Sequence, residues 1–183
     1  MKKIFYTPLL ACVLMSCAKK QEGDVLQKQE DRTTKIEING YTQTDKKGHS
    51  AGAVDNTDWA NDATFTDDES KLFTFVDTAK LSNVDTAKIT VLPIFPNAAA
   101  QDSVVKLHIV SNKKAVFSVV VVNKYLDKLT TSVNYYINKD TSELQFKLSK
   151  GTFDSGDLYR VYYGFSANGK KLYYKGHGDI KVQ

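Results

Sequence analysis

Gly48-His49-Ser50-Ala51-Gly52 fits G-x-S-x-G, the pattern that sets a nucleophilic serine on a sharp turn. That chemistry needs an apolar strand before the serine and a helix after it. Here Thr44-Asp45-Lys46-Lys47 precedes and Ala53-Val54-Asp55-Asn56-Thr57 follows, so neither context is met. His108 and His177 lie downstream, which leaves hydrolysis by Ser50 formally open but remote. Asp77-Thr78-Ala79 and Asp85-Thr86-Ala87 each look like half of an aspartyl site. That chemistry needs two carboxylates sharing a proton across a groove, and copies this close in sequence have no lobes around them. Gly176-His177-Gly178-Asp179 is a further oddity. His177 and Asp179, two apart in a strand, would share a face and hold part of a metal site. No other His or Cys stands at ligand spacing. The flanking glycines read better as a bulge or loop, so His177 and Asp179 stay weak candidates and no metal or cofactor is assigned. No Gly-rich phosphate loop occurs.

Tyrosine is the other chemistry-bearing type, and it crowds the last third: Tyr135, Tyr136, Tyr159, Tyr162, Tyr163, Tyr173 and Tyr174. Along a strand Tyr162 and Tyr163 face opposite ways, as do Tyr173 and Tyr174. At least one row is expected to point outward. Outward tyrosine beside Arg160 would pack on a protein or stack on a sugar ring. Tyr136, Arg160, Tyr162 and Tyr173 are therefore the candidate binding residues. The competing reading is that tyrosine simply suits strands and tolerates a half-wet position.

The elements that must position these residues are strands. Ile89–Phe95 is apolar and β-rich, with Pro93 marking an edge or bend. In Val104–Val110, Val105, Leu107 and Ile109 share a face. Ala115–Val122 is apolar on both faces, as a central buried strand must be. Thr131–Ile137 alternates, and Ser142–Leu148 alternates most cleanly: Leu144, Phe146 and Leu148 in, Glu143, Gln145 and Lys147 out. Leu158–Phe165 and Lys171–Tyr174 flank Asn168-Gly169, a strong hairpin signal. Ile180–Val182 makes a last short strand. Before them, Thr66-Asp67-Asp68-Glu69 is a capping box, and Leu72, Phe73, Val76 and Ala79 continue at helical spacing, which predicts a short helix over 67–79. A strand through Leu72–Val76 is the alternative. About seven or eight strands at this spacing predict one antiparallel Ig-like β-sandwich, mainly β, over residues 59–183. Trp59 opens it as an apolar anchor.

The N-terminus has a different logic. Lys2 and Lys3 precede an apolar run from Ile4 to Met15 that ends at Leu14-Met15-Ser16-Cys17. A basic start, a short apolar run and a small residue before the cut describe a secretory signal, too short to cross a bilayer as a mature helix. Leu-x-Ser-Cys resembles the lipobox of bacterial lipoproteins. The resemblance implies residues 1–16 as signal peptide and a lipid anchor on Cys17, with the outer membrane favoured because Ala18, not Asp, follows. An ordinary secretory signal with a chance cysteine is the alternative. Acyl chains contribute about 0.8 kcal/mol per buried methylene, and two or more anchor stably. Residues 17–58 are polar and charged with sparse apolar positions (Val25, Leu26, Ile36, Ile38, Tyr41), which predicts a flexible linker behind the lipidated cysteine. Ile36-Glu37-Ile38 as a short strand is the minority alternative.

Composition narrows function further. The formal charge of +4 falls to about +2 without Lys2 and Lys3, too weak to argue for nucleic acid. Cys12 and Cys17 are the only cysteines, so after cleavage and acylation no disulfide is expected. The order Phe95-Pro96-Asn97, Val105–Ile109, Phe117–Val122, Leu144–Leu148 and Leu158-Tyr159-Arg160-Val161, with a basic ending, resembles the Ig-like C-terminal sorting domains of type IX secretion cargo over roughly residues 89–183. Ala98 stands where that pattern has a second proline, and the chain ends Lys181-Val182-Gln183. The resemblance implies the fold, not the export route. The expectation is a non-enzymatic cell-envelope lipoprotein whose sandwich binds a protein partner, as an accessory subunit of an outer-membrane assembly. Carbohydrate or peptidoglycan binding through surface tyrosines is the alternative.

Overall fold

In the computed structural model, which describes residues 32–62, 64–73, 88–166 and 172–183, two antiparallel sheets form a β-sandwich. The described strands are β1 (Ala60–Asn61), β2 (Ile89–Val91), β3 (Val104–Ser111), β4 (Ala115–Val122), β5 (Val133–Ile137), β6 (Asp140–Lys147), β7 (Leu158–Ser166) and β8 (Leu172–Lys181). The larger sheet has the order β1-β8-β7-β4-β5, and the smaller β2-β3-β6. The chain switches sheets between β5 and β6 across only residues 138 and 139. Asp140, with φ of 82°, opens the second strand.

Alternation places the core. Val105, Leu107 and Ile109 of β3 are fully buried and meet Phe117, Val119 and Val121 of β4 from the other sheet. Each such side chain contributes about 1.5–3 kcal/mol by leaving water. Trp59 joins this core, stacked on Tyr163 with ring centroids 6.2 Å apart. The expected strands are present, with three adjustments. β2 stops at Val91, short of Phe95. Ile180 belongs to β8, which also runs through Gly176-His177-Gly178-Asp179 as regular ladder rather than as a loop. The Asn168-Gly169 turn lies outside the described residues.

Both glycines in that stretch answer to close neighbours. A Cβ at Gly178 would stand 2.2 Å from the Trp59 ring, and one at Gly176 would stand 2.0 Å from the Ala60 carbonyl and 2.7 Å from the Tyr163 hydroxyl. These two positions let the Trp59 segment lie flat against β8.

All eight residues of β4 are buried, because the larger sheet is covered on its outer face as well. A second apolar cluster lies there: Ile36, Leu72 and Phe73 pack on Val120, Val122, Tyr162 and Leu172. Part of this cover, Ile36 with Ile38 beside it, comes from the stretch expected to be linker, and the rest from Phe65, Leu72 and Phe73. Thr33–Gln183 is one compact unit, so the folded boundary falls near residue 33 and not at 59. Residues 33–58 dock through polar groups. The Lys35 and Ile36 N–H groups donate to the Lys124 carbonyl at 3.0 and 3.1 Å, and Thr42 and Thr44 are buried and hydrogen-bonded. Attachment by hydrogen bonds leaves no apolar periodicity to read in a sequence.

The capping box is formed. The Glu69 N–H donates to Thr66 Oγ1, and the Thr66 N–H donates to Glu69 Oε2. The helix it starts, α1 (Asp67–Ser70), is shorter than the predicted 67–79. It ends because Leu72 and Phe73 both turn onto the sheet. Val76 and Ala79, like the Asp77 and Asp85 repeats, lie outside the described residues.

The exposed edge of β8 is closed piecewise. The Asp62 N–H reaches the Lys175 carbonyl, and the Trp59 N–H the His177 carbonyl. Asp58 Oδ1 then accepts the Asp179 N–H. Asn97 Nδ2 donates to the Asp179 carbonyl, and its Oδ1 accepts the Lys181 N–H. The Ala99 N–H completes the row at the Lys181 carbonyl. Two side chains thus stand in for a strand.

Candidate functional site

The four candidate binding residues do not form one surface. Tyr162 is fully buried, which corrects its expected outward position. Tyr162 and Tyr163 do face opposite ways, but both faces of the sheet are covered. The Tyr162 hydroxyl donates to Glu69 Oε1 at 2.5 Å, and its ring meets Phe65 edge-on. Burial, then Glu69, pushes its phenol pKa up. Tyr173 is half-buried against the main core. Arg160 is held by Asp179, with Nε and Nη2 donating at 2.8 and 2.9 Å, and also caps the Glu37 carbonyl. Tyr136 alone stands free, 89% exposed on edge strand β5.

His177 and Asp179 are not drawn into one ligand set. His177 Nδ1 lies 2.7 Å from Asp62 Oδ2, and the buried Asp179 carboxylate faces Arg160. The structure does gather acids the sequence did not suggest: Asp55, Asp58 and Asp179 offer oxygens within 4.8 Å of one another. Their carboxylates have protein partners. Asp58 accepts the Thr42 and Asp179 N–H groups, and Asp55 Oδ1 accepts Thr57. Burial, and then the Asp179 carboxylate, pushes Asp58 up to about 7. The group works as a staple joining residues 42–58 to β8.

Ser50 lies in a tight hairpin, bridged to Thr44, and not between strand and helix. The Asp45 carboxylate accepts the Lys47 and His49 N–H groups at 2.7 and 2.9 Å, and these bonds hold its pKa below the ordinary value. Gly48 takes φ of 83° there, a turn conformation that suits glycine. His49 Nδ1 faces Asp45, and His108 Nε2 faces Glu143. Among the described residues no helix is long and apolar enough to cross a membrane. Cys17 lies outside them.

The feature that sequence reading missed lies where β5 and β6 part into different sheets. A cleft of about 210 Å³ opens between them, lined by Val119 and Val121 of β4, Val133 and Tyr135 of β5, and Phe146 and Lys147 of β6. Val133 is 37% exposed at its rim. Tyr136 stands on the opposite face of β5 from Tyr135. A strand edge with no partner among the described residues, a large exposed aromatic on one face and an apolar cleft on the other together suit recognition of an extended polypeptide, by backbone pairing plus side-chain pockets. The alternation of residues 131–137 marked the strand. Nothing local marked it as an edge, because sheet order is set by partners distant in sequence. No protein-family model matches this chain, and no curated protein matches it.

Proposed function

We propose that this chain is a lipid-anchored protein of the bacterial cell envelope, without catalytic activity, whose β-sandwich binds a protein partner along β5. Cys17 carries the anchor, and the outer membrane is its place. The partner belongs to an outer-membrane assembly in which this chain is an accessory subunit. The observation that carries the binding reading is Tyr136. A tyrosine 89% exposed on a strand edge with no partner among the described residues is the kind of residue that dominates interfaces once desolvated. The Leu14-Met15-Ser16-Cys17 pattern supports the anchor.

The test is purification of the acylated chain from detergent-solubilised membranes, with and without Tyr136→Ala. Stoichiometric co-purification of a membrane protein, lost in the variant while the fold is unchanged, is expected. A partner retained in full by Tyr136→Ala would remove β5 from the interface. Cys17→Ser should abolish lipid labelling, and a variant that is still lipidated refutes the anchor. Glycan binding is the second reading, favoured by the same exposed ring, which has a free face for a sugar. It predicts chemical-shift changes at Tyr136 with oligosaccharides, and an unresponsive Tyr136 across a sugar panel ends it.

A further inference from the structure

We propose that β6 is a self-association edge. Two copies of this chain pair antiparallel through β6, with Gln145 on the two-fold axis, and join their smaller sheets into one continuous sheet. This does not rest on the partner reading, which concerns β5.

The inference starts from hydrogen-bond parity. Lys106 exchanges both backbone bonds with Phe95, and the His108 carbonyl accepts from Leu92. These even-numbered residues of β3 therefore bond away from β6, and Val105, Leu107 and Ile109 bond toward it. Their partners in β6 are Phe146, Leu144 and Ser142. The N–H and C=O groups of Thr141, Glu143, Gln145 and Lys147 consequently point out of the sheet. Among the described residues nothing pairs with them. The cleft separates this edge from β5. A strand of eight residues with an open edge is a template for another strand, unless its side chains forbid the pairing.

Side-chain order selects the occupant. In an antiparallel pair, charges directly opposite attract or repel according to sign. Centred on Gln145, a two-fold pairing sets Glu143 against Lys147 of the second copy, and Lys147 against Glu143 of the second copy. Centred on Glu143 it sets Glu against Glu, and centred on Lys147, Lys against Lys. On the opposite face the Gln145 register sets Leu144 against Phe146 of the second copy. Both are only half-buried in the single chain, so pairing covers apolar surface as well. The charges that usually guard an edge are here arranged to match their own two-fold image.

Disulfide mapping in membranes that carry the full chain tests this. In the proposed register the two Gln145 residues form a hydrogen-bonded pair with Cα atoms about 5.5 Å apart, within disulfide reach. The two Glu143 residues lie about 14 Å apart, as do the two Lys147 residues, at roughly 3.4 Å per residue. Gln145→Cys should give a cross-linked dimer on mild oxidation. Glu143→Cys and Lys147→Cys should each give none alone, but should cross-link when the two are co-expressed. The wild type, with Cys12 and Cys17 only, sets the background. Adding Lys147→Glu to Gln145→Cys places like charges opposite and should cost most of the dimer. No dimer at 145, equal cross-linking at all positions, or capture of Gln145→Cys by a different protein overturns the proposal.

Discussion

Asn97 is fully buried, and its side chain ties the Thr42 segment and β8 to its own backbone. Its Nδ2 donates to the Thr42 carbonyl at 3.0 Å and to the Asp179 carbonyl at 2.9 Å, and its Oδ1 accepts the Lys181 N–H at 2.9 Å. Asn97→Ala deletes all three bonds and leaves their partners facing a gap. At about 1 kcal/mol per bond, and more where a buried partner is orphaned, the loss is about 3–5 kcal/mol. An ordinary domain holds only about 5–15 kcal/mol, so the variant folds with a much smaller margin. With a urea slope of about 1–3 kcal/mol per molar, the midpoint should fall by roughly 2 M. Fluorescence of Trp59, the sole and buried tryptophan, reports the transition. Asn97→Asp is the sharper variant. It has the same shape, but it sets a carboxylate oxygen against the Thr42 and Asp179 carbonyls. It should cost more than alanine at neutral pH and recover part of the loss when acid protonates it. A loss below about 1 kcal/mol for Asn97→Ala, or wild-type stability for Asn97→Asp, would refute the view that this side chain substitutes for a strand at the β8 edge.

Asp58 makes stability depend on pH in an unusual direction. The folded carboxyl keeps its proton up to about 7, whereas the ordinary value is 3.8. Between these limits the unfolded chain binds fewer protons. Stability therefore falls as pH rises from about 4 to about 7, by up to about 4 kcal/mol at roughly 1.4 kcal/mol per pH unit. Asp58→Asn should flatten this slope in urea titrations, and an unchanged slope would assign the effect to other groups. Gly178→Ala drives a methyl into the Trp59 ring and should cost about 1–3 kcal/mol or more, with red-shifted Trp59 emission. Emission and stability like wild type would mean that the segment moves aside freely. Tyr162→Ala should cost about 3–5 kcal/mol in the same urea assay through the cavity it leaves under Phe65 and Phe73. A neutral result would place Tyr162 at the surface after all.

The strands were legible in the sequence because period-two alternation is a local property. Leu144, Phe146 and Leu148 against Glu143, Gln145 and Lys147 shows a face without any knowledge of the partner strand. The same holds for β4: eight apolar or small residues in a row require cover on both sides, whatever supplies it. The capping box at Thr66 was equally readable, since its bonds span three residues. The candidate site was far less legible. Tyr162 and Tyr136 look alike as strand tyrosines, and only one of them is exposed.

What the sequence determined by itself was the mainly β sandwich, the face of each principal strand, and the N-terminal pattern ending at Cys17. Tertiary structure alone decided which faces meet water. Residues 33–58 attach to the rest of the fold through hydrogen bonds from Lys35 and Ile36 to the Lys124 carbonyl, from Thr44 to the Ile94 carbonyl and from the Asp179 N–H to Asp58, and such bonds carry no periodic signature. Asp58 and Asn97 close one sheet edge, while among the described residues β5 and β6 keep open edges on either side of a sheet switch across two residues. Burial of a side chain depends on what packs over it. In this chain the covering groups come from far along the sequence, as between Arg160 and Glu37, 123 residues apart.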